Sequence, residues 1–388
     1  MRNIWIALSS LFLVFCFYSC ESPDDDDNNL SLTIDPLKAS QGIFKTTLTT
    51  TPDIGTEATI FSLTANVLQD ANRAVDYFAR WDLDGDGIYD TEWLDSLTYS
   101  TNGGVSQNVK VQVIDSESYS EVDSVTVRIA ELVPITSNTS NSFQGNADIH
   151  PDGTRLIFDW RPTTPGHQIY EYNLLDATTT MLIAETAHWP DYSYDGNYIS
   201  FNKSDVGICV YNTLTASIEE VIPDSLSLTM WCRWSPIENK FLYLSKLGLQ
   251  LYDYDNKIDS VILDDYYYTY CWSPDGEYLA IGNQGGLSGT SSLEILRLDD
   301  LTIIKTYADI PVGHKLDWSP DGNWICLGVA NKPIIAVLNY LTDEVITIEP
   351  SPLVGPWYPS WSPDGASLYF EGQAGNTKLS IWNMGFPL

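Results

Sequence analysis

The chain has 388 residues, room for two or three domains, and its 44% apolar against 18% charged residues exclude a disordered protein. Nineteen basic against 52 acidic side chains give a formal charge of −33, a field that repels nucleic acid and anionic lipid and argues against nucleic acid as a partner. The 23 Tyr and 13 Trp suit half-buried pleated surfaces, so strands are the elements to look for.

In chain order, Arg2 precedes an almost wholly apolar stretch from Ile4 to Tyr18, which is too short for a comfortable membrane span and fits an export signal. It ends in Phe17-Tyr18-Ser19-Cys20, which resembles a bacterial lipobox with Phe17 in place of the usual Leu. The resemblance implies that residues 1–19 are a lipoprotein signal peptide and that Cys20 carries the lipid that ties the chain to a membrane. An ordinary secretory signal with Cys20 incidental is the plainer alternative. Residues 20–31 follow as an acidic tether, because the run Asp24 to Asp27 repels itself and has nothing to pack. An acidic run directly after a lipidated Cys resembles the surface-export signal of some Gram-negative lipoproteins. That implies the outer membrane and the cell surface, with the periplasmic face as the alternative.

Residues 32–130 alternate with period two in the segments 61–67, 77–81, 109–113 and 125–129, and turn residues lie between them. This pattern predicts a small β-sandwich. Trp81-Asp82-Leu83-Asp84-Gly85-Asp86-Gly87, with Val113-Ile114-Asp115, resembles a PKD domain, an Ig-like sandwich of bacterial surface proteins. The resemblance implies a spacer or a contact module without chemistry. Asp82, Asp84, Asp86 and Asp90 also occupy positions 1, 3, 5 and 9 of a calcium loop, with Gly87 at 6. Trp93 stands where the closing Glu belongs, so these four are a weak Ca²⁺ candidate. The plainer reading has aspartates capping a turn. No cofactor is required by any of this, and Ca²⁺ is the one candidate ion.

From 131 to 388 a unit of about 42 residues recurs, the signature of propeller blades or a solenoid. His150-Pro151-Asp152-Gly153 returns as Ser193-Tyr194-Asp195-Gly196, the degenerate Ser235-Pro236-Ile237-Glu238, Ser273-Pro274-Asp275-Gly276, Ser319-Pro320-Asp321-Gly322 and Ser362-Pro363-Asp364-Gly365. Asp-Gly makes a tight hairpin turn, and each unit carries four short apolar strands, as 271–273, 278–282, 293–298 and 302–305. The last unit lacks its outer strand, whereas Leu132-Val133-Pro134-Ile135-Thr136 precedes the first motif as one strand too many. Pairing the two would remove two open edges. Trp-Ser-Pro-Asp-Gly at 272, 318 and 361 resembles the repeats of the TolB-type propeller family. The fold expected is therefore all-β: an Ig-like sandwich over 32–130, then a six-bladed propeller over 131–388 closed by its N-terminal outer strand. The family resemblance implies protein or peptide binding at the mouth.

Six positions before the anchors at 151, 194, 236, 274, 320 and 363 stand Gly145, His188, Met230, Tyr268, His314 and Trp357. Five before them stand Asn146, Trp189, Trp231, Thr269, Lys315 and Tyr358. Repeat symmetry puts these at one level. His188, Trp189, Trp231, Tyr268, His314, Lys315, Trp357 and Tyr358 thus form the candidate binding rim for a peptide or glycan, with packing between blades as the plainer alternative. Trp234, Trp272, Trp318 and Trp361 are assigned to packing between blades. The four histidines, including His150 and His167, form no His-x-x-x-His pair, so no zinc site and no catalytic residue are assigned. Gly286-Leu287-Ser288-Gly289-Thr290 lacks the last Gly of a nucleophile elbow. Cys209, Cys232, Cys271 and Cys326 are expected as buried free thiols. The functional expectation is a lipid-anchored, non-catalytic binding or scaffold protein of the cell envelope. Its alternatives are a subunit of an outer-membrane complex and, less favoured, a metal-dependent polysaccharide lyase using His188 and His314.

Overall fold

The computed structural model describes residues 38–39, 43–69, 75–102, 106–136, 143–161, 166–224, 232–265, 267, 269–283, 292–308, 310–329, 332–375 and 377–386. Cys20, Asp24 to Asp27, Trp231, Tyr268 and the side chain of His314 lie outside these. Every regular element among the described residues is a strand.

The N-terminal unit holds two sheets. Phe44–Thr51, Ile60–Gln69 and Thr98–Asn102 form one; Tyr77–Asp82, Gln107–Asp115 and Tyr119–Ile129 form the other. The alternation read from the sequence is the cause: Phe61, Leu63 and Ala65 point inward from one sheet and Val109, Val111 and Val113 from the other. They share one core with Phe44, Ala79 and the fully buried Trp81.

Beyond it lie six antiparallel arrays of four strands, five of them formed by consecutive strands. Their first strands are Phe143–Ile149, Ala187–Tyr192, Arg233–Trp234, Thr269–Trp272, Val312–Trp318 and Leu353–Trp361. The sixth array is completed from the front of the chain, as expected from the surplus strand: Leu132–Pro134 pairs antiparallel with Ser380–Gly385. Each first strand lies against the first strand of the next array, and that of the sixth lies against that of the first. A separate apolar cluster fills each junction. Ile157 and Phe201 share the cluster between arrays one and two, and Phe158 and Ile381 the one between arrays one and six.

The motif turns follow from local bonding. Ser193 Oγ donates to Asp195 Oδ1 (2.7 Å) and accepts the Tyr198 N–H (3.0 Å), while Gly196 closes the turn at φ 70°. Ser273, Ser319 and Ser362 repeat the arrangement, each with a glycine at positive φ. Trp234, Trp272, Trp318 and Trp361 are buried, and the Trp272 indole N–H donates to the Arg233 carbonyl of the preceding array (3.0 Å). Cys209, Cys232, Cys271 and Cys326 are buried free thiols, and burial pushes each of them up.

The two units are not joined by a tether alone. Ile54–Gly55 runs parallel to Tyr119–Ile129 on one side and to Val345–Glu349, the outer strand of the fifth array, on the other. One sheet therefore runs from the fifth array into the N-terminal unit.

Candidate functional site

Three residues before each anchor stand Asp148, Asp191, Arg233, Cys271, Asp317 and Ser360. These positions sit near the motif ends of the innermost strands. All but Ser360 line one axial cavity of about 390 Å³, with Tyr194 and five motif prolines at its edge. The three carboxylates staple neighbouring arrays. Asp148 accepts the Tyr192 N–H (2.8 Å), Asp191 the Trp234 N–H (2.8 Å) and Asp317 the Trp361 N–H (2.7 Å).

Against the three acids stand two cations. The Arg233 guanidinium donates to Asp191 Oδ1 (2.8 Å). The Lys315 ammonium reaches across to the Ala147 carbonyl (2.9 Å) and Ser360 Oγ (2.5 Å). Burial, and after it the like charge of Asp148, raises the Asp191 carboxyl despite Arg233. Burial pushes Asp317 up to about 6 against the pull of Lys315. The cavity thus holds more acid than its cations neutralise, and part of that acid carries a proton near neutrality.

At the other end of the innermost strands lies a second cluster. Asp159, on the second strand of the first array, is fully buried. Its Oδ1 lies 3.6 Å from His167 Nδ1, and its Oδ2 lies 3.7 Å from His188 Nδ1. The two imidazoles are 4.4 Å apart, centroid to centroid. Burial would raise the Asp159 carboxyl, but His167, His188 and Asn146 outweigh it and hold it below the usual range. These three side chains are one set that could hold a metal.

Residues 213–339 match the family model for eukaryotic translation initiation factor eIF2A. No curated relative matches the chain. Among solved structures, TolB from Acinetobacter baumannii superposes with a TM-score of 0.50 at 13% identity, over 82% of either chain. The oligogalacturonate lyase of Vibrio parahaemolyticus gives 0.47 at 12% identity, covering 88% of this chain and 97% of its own. The Cps50 (Swd1) β-propeller domain of Myceliophteria thermophila gives 0.42 at 10%, covering 65% and 100%. The chain has a propeller-like, all-β fold. At such identities the likeness is one of fold and carries no activity with it.

Within the propeller the expected rim is only partly assembled. His188 is partly exposed beside Trp189, their rings 5.4 Å apart, and Trp357 is 41% exposed. Tyr358 is half-buried. Lys315 corrects the expectation: it is 5% exposed and turned into the channel. The reason is a bulge. The register of the innermost strand shifts between Gly145 and Asp148, His188 and Asp191, and Val312 and Leu316, so residues at one count from the anchor need not face the same way. Asn146, Trp189 and Tyr358 mark it with positive φ, an uncommon conformation for bulky side chains.

The aspartate loop of the N-terminal unit is largely self-capped. Asp82 accepts the Gly85 and Gly87 N–H groups (2.7 and 3.0 Å), and Asp90 accepts the Leu83 N–H (2.6 Å). Carboxylate oxygens of Asp82, Asp84 and Asp86 converge, and the Lys110 ammonium sits 3.3 Å from Asp82 Oδ2 and from the Gly85 carbonyl.

The sequence reading missed Asp148, Asp191, Arg233 and Asp317, although their phase was printed in the repeat. It assigned His167 no role and did not name Asp159.

Proposed function

We propose that this chain is a lipid-anchored binding scaffold of the cell envelope whose propeller grips a basic segment of a protein partner at the motif end of its channel. One observation carries the reading: Asp148, Asp191 and Asp317 converge on a single axial cavity, opposed among the described residues only by Arg233 and an internally bonded Lys315. A Lys or Arg side chain entering there relieves the crowding of like charge, and the −33 overall charge steers such a partner toward the mouth.

In this reading the six arrays are the blades of a closed six-bladed propeller, sealed by Leu132–Pro134. Residues 32–130 are a PKD-like, Ig-like sandwich that presents it, and Cys20 bears the lipid at the outer membrane, facing the cell surface. The support is the chain of contacts that returns from the sixth array to the first, and the facing sheets of the N-terminal unit.

A pull-down from native membranes tests the reading, with wild-type protein beside Asp148→Asn/Asp317→Asn. The partner should be retained by the first, released by salt and lost from the double variant. Equal capture by both would overturn the basic-segment reading, and a glycan in place of protein would overturn the scaffold. Cys20→Ala should move the protein from the membrane fraction to the soluble one.

A further inference from the structure

We infer that Asp159, His167 and His188 form a divalent transition-metal site, with zinc the ion that fits best, at the channel end opposite the acidic cavity. It is independent of the binding role proposed above, because it uses different residues at the other end of the strands.

The spacing is the first argument. Separations of 3.6 and 3.7 Å between imidazole nitrogens and carboxylate oxygens are too long for hydrogen bonds. The 3.6 Å between His167 Nδ1 and Asp159 Oδ1 matches two ligands that share an ion: with metal–ligand bonds of about 2.0–2.2 Å, two donors of a tetrahedral zinc lie roughly 3.3–3.6 Å apart. Donor atoms of all three residues lie within 4.8 Å of one another.

The second argument is what the groups lack. Among the described residues, Asp159 Oδ1 and His167 Nδ1 are buried atoms with no hydrogen-bond partner, and they lie 3.6 Å apart. A buried carboxylate is costly without a cation. Among the described residues no lysine or arginine pairs with Asp159, and the two imidazoles are its only ion-pair neighbours.

The third is orientation. Asp159 Oδ2 is held by the Asn146 amide (2.9 Å) and the Trp189 N–H (3.3 Å), which leaves Oδ1 as the open donor. Asn146 is fixed in turn through its own N–H, which donates to the fully buried Glu371. Phe143 packs on His167 with ring centroids 5.3 Å apart, an apolar wall for one ligand. Such outer contacts set ligand geometry in metal sites. Two histidines and one carboxylate leave a tetrahedral ion one open position.

The test is calorimetric titration of untagged, metal-stripped protein with Zn²⁺, beside His167→Gln, His188→Gln and, as a control, Asp84→Asn. The expected result is one ion per chain, weakened at least about 100-fold in either histidine variant and unchanged in the control. The Co²⁺ form should show the strong visible absorption of a four-coordinate ion, lost in the same two variants. Circular dichroism and melting of the metal-free variants separate lost binding from lost folding. No stoichiometric binding to wild-type protein, or binding that survives both histidine changes, would overturn the site.

Discussion

Asp53 of the N-terminal unit and Thr347 of the fifth array are bonded to each other through backbone and side chain together. The Asp53 N–H donates to the Thr347 carbonyl (3.1 Å), while Asp53 Oδ2 accepts both the Thr347 N–H (2.8 Å) and its hydroxyl (2.9 Å). Thr59 adds a hydroxyl bond to the Glu349 carbonyl (3.0 Å). Asp53→Ala removes the acceptor of two donors, which costs about 1–3 kcal/mol where the groups are sheltered from water. Calorimetry should show one melting transition in the wild type and two in the variant. A single unchanged transition would show that this pair does not couple the units.

The front-to-back strand pairing predicts a second effect. Thr136 Oγ1 accepts the buried Ile381 N–H (3.0 Å), and the Ile135 N–H donates to the Ile381 carbonyl (2.9 Å). Thr136→Val keeps the shape but orphans that N–H, so the loss should be about 1–3 kcal/mol by denaturant titration. Removing Leu132 to Thr136 altogether exposes the edge of Ser380–Gly385 and should abolish cooperative melting.

The channel acids make stability depend on pH. Asp317 is raised from 3.8 to about 6 by burial, and Asp191 is raised by burial and by Asp148, with Arg233 and Lys315 opposing. A raised acid favours the fold while it is protonated. Its contribution is whole below about pH 4 and is lost as pH climbs through about 6. The melting temperature should therefore be higher near pH 5 than near pH 8, and Asp191→Asn/Asp317→Asn should flatten that slope. A basic ligand prefers the ionised carboxylates, so its affinity should rise with pH over the same interval.

Lys110 governs the aspartate loop. Its ammonium lies within 3.3 Å of Asp82, a residue 1% exposed, and competes with any Ca²⁺ for the converging oxygens. Lys110→Met should tighten Ca²⁺ binding about tenfold, close to 1.4 kcal/mol. Calorimetry that finds no heat in either protein at millimolar Ca²⁺ would leave the loop as a capped turn.

Much of the architecture could be read from the residues because its determinants are local. A Ser-Pro-Asp-Gly turn needs a hydroxyl, a carboxylate and a residue tolerant of positive φ within four positions, and Gly276, Gly322 and Gly365 meet that need at φ 73°, 76° and 71°. Strand counting likewise placed Leu132–Pro134 beside Ser380–Gly385, because the number of strands in a repeat is a property of the chain. The face a side chain takes was harder. Counting from the anchor put Lys315 on the rim, but a bulge between Val312 and Leu316 shifts the register and sends its ammonium into the channel.

The sequence by itself determined the repeat, the turn chemistry, the strand-only composition and the acidic balance, since each is fixed by neighbours along the chain. The tertiary structure alone decided which side chains meet. Asp159, His167 and His188 come from a strand, a loop and the next array, and Asp148, Asp191 and Asp317 come from three different arrays. No spacing encodes the first set, and the second shares only a phase in the repeat; the convergence of both depends on how whole sheets pack against one another.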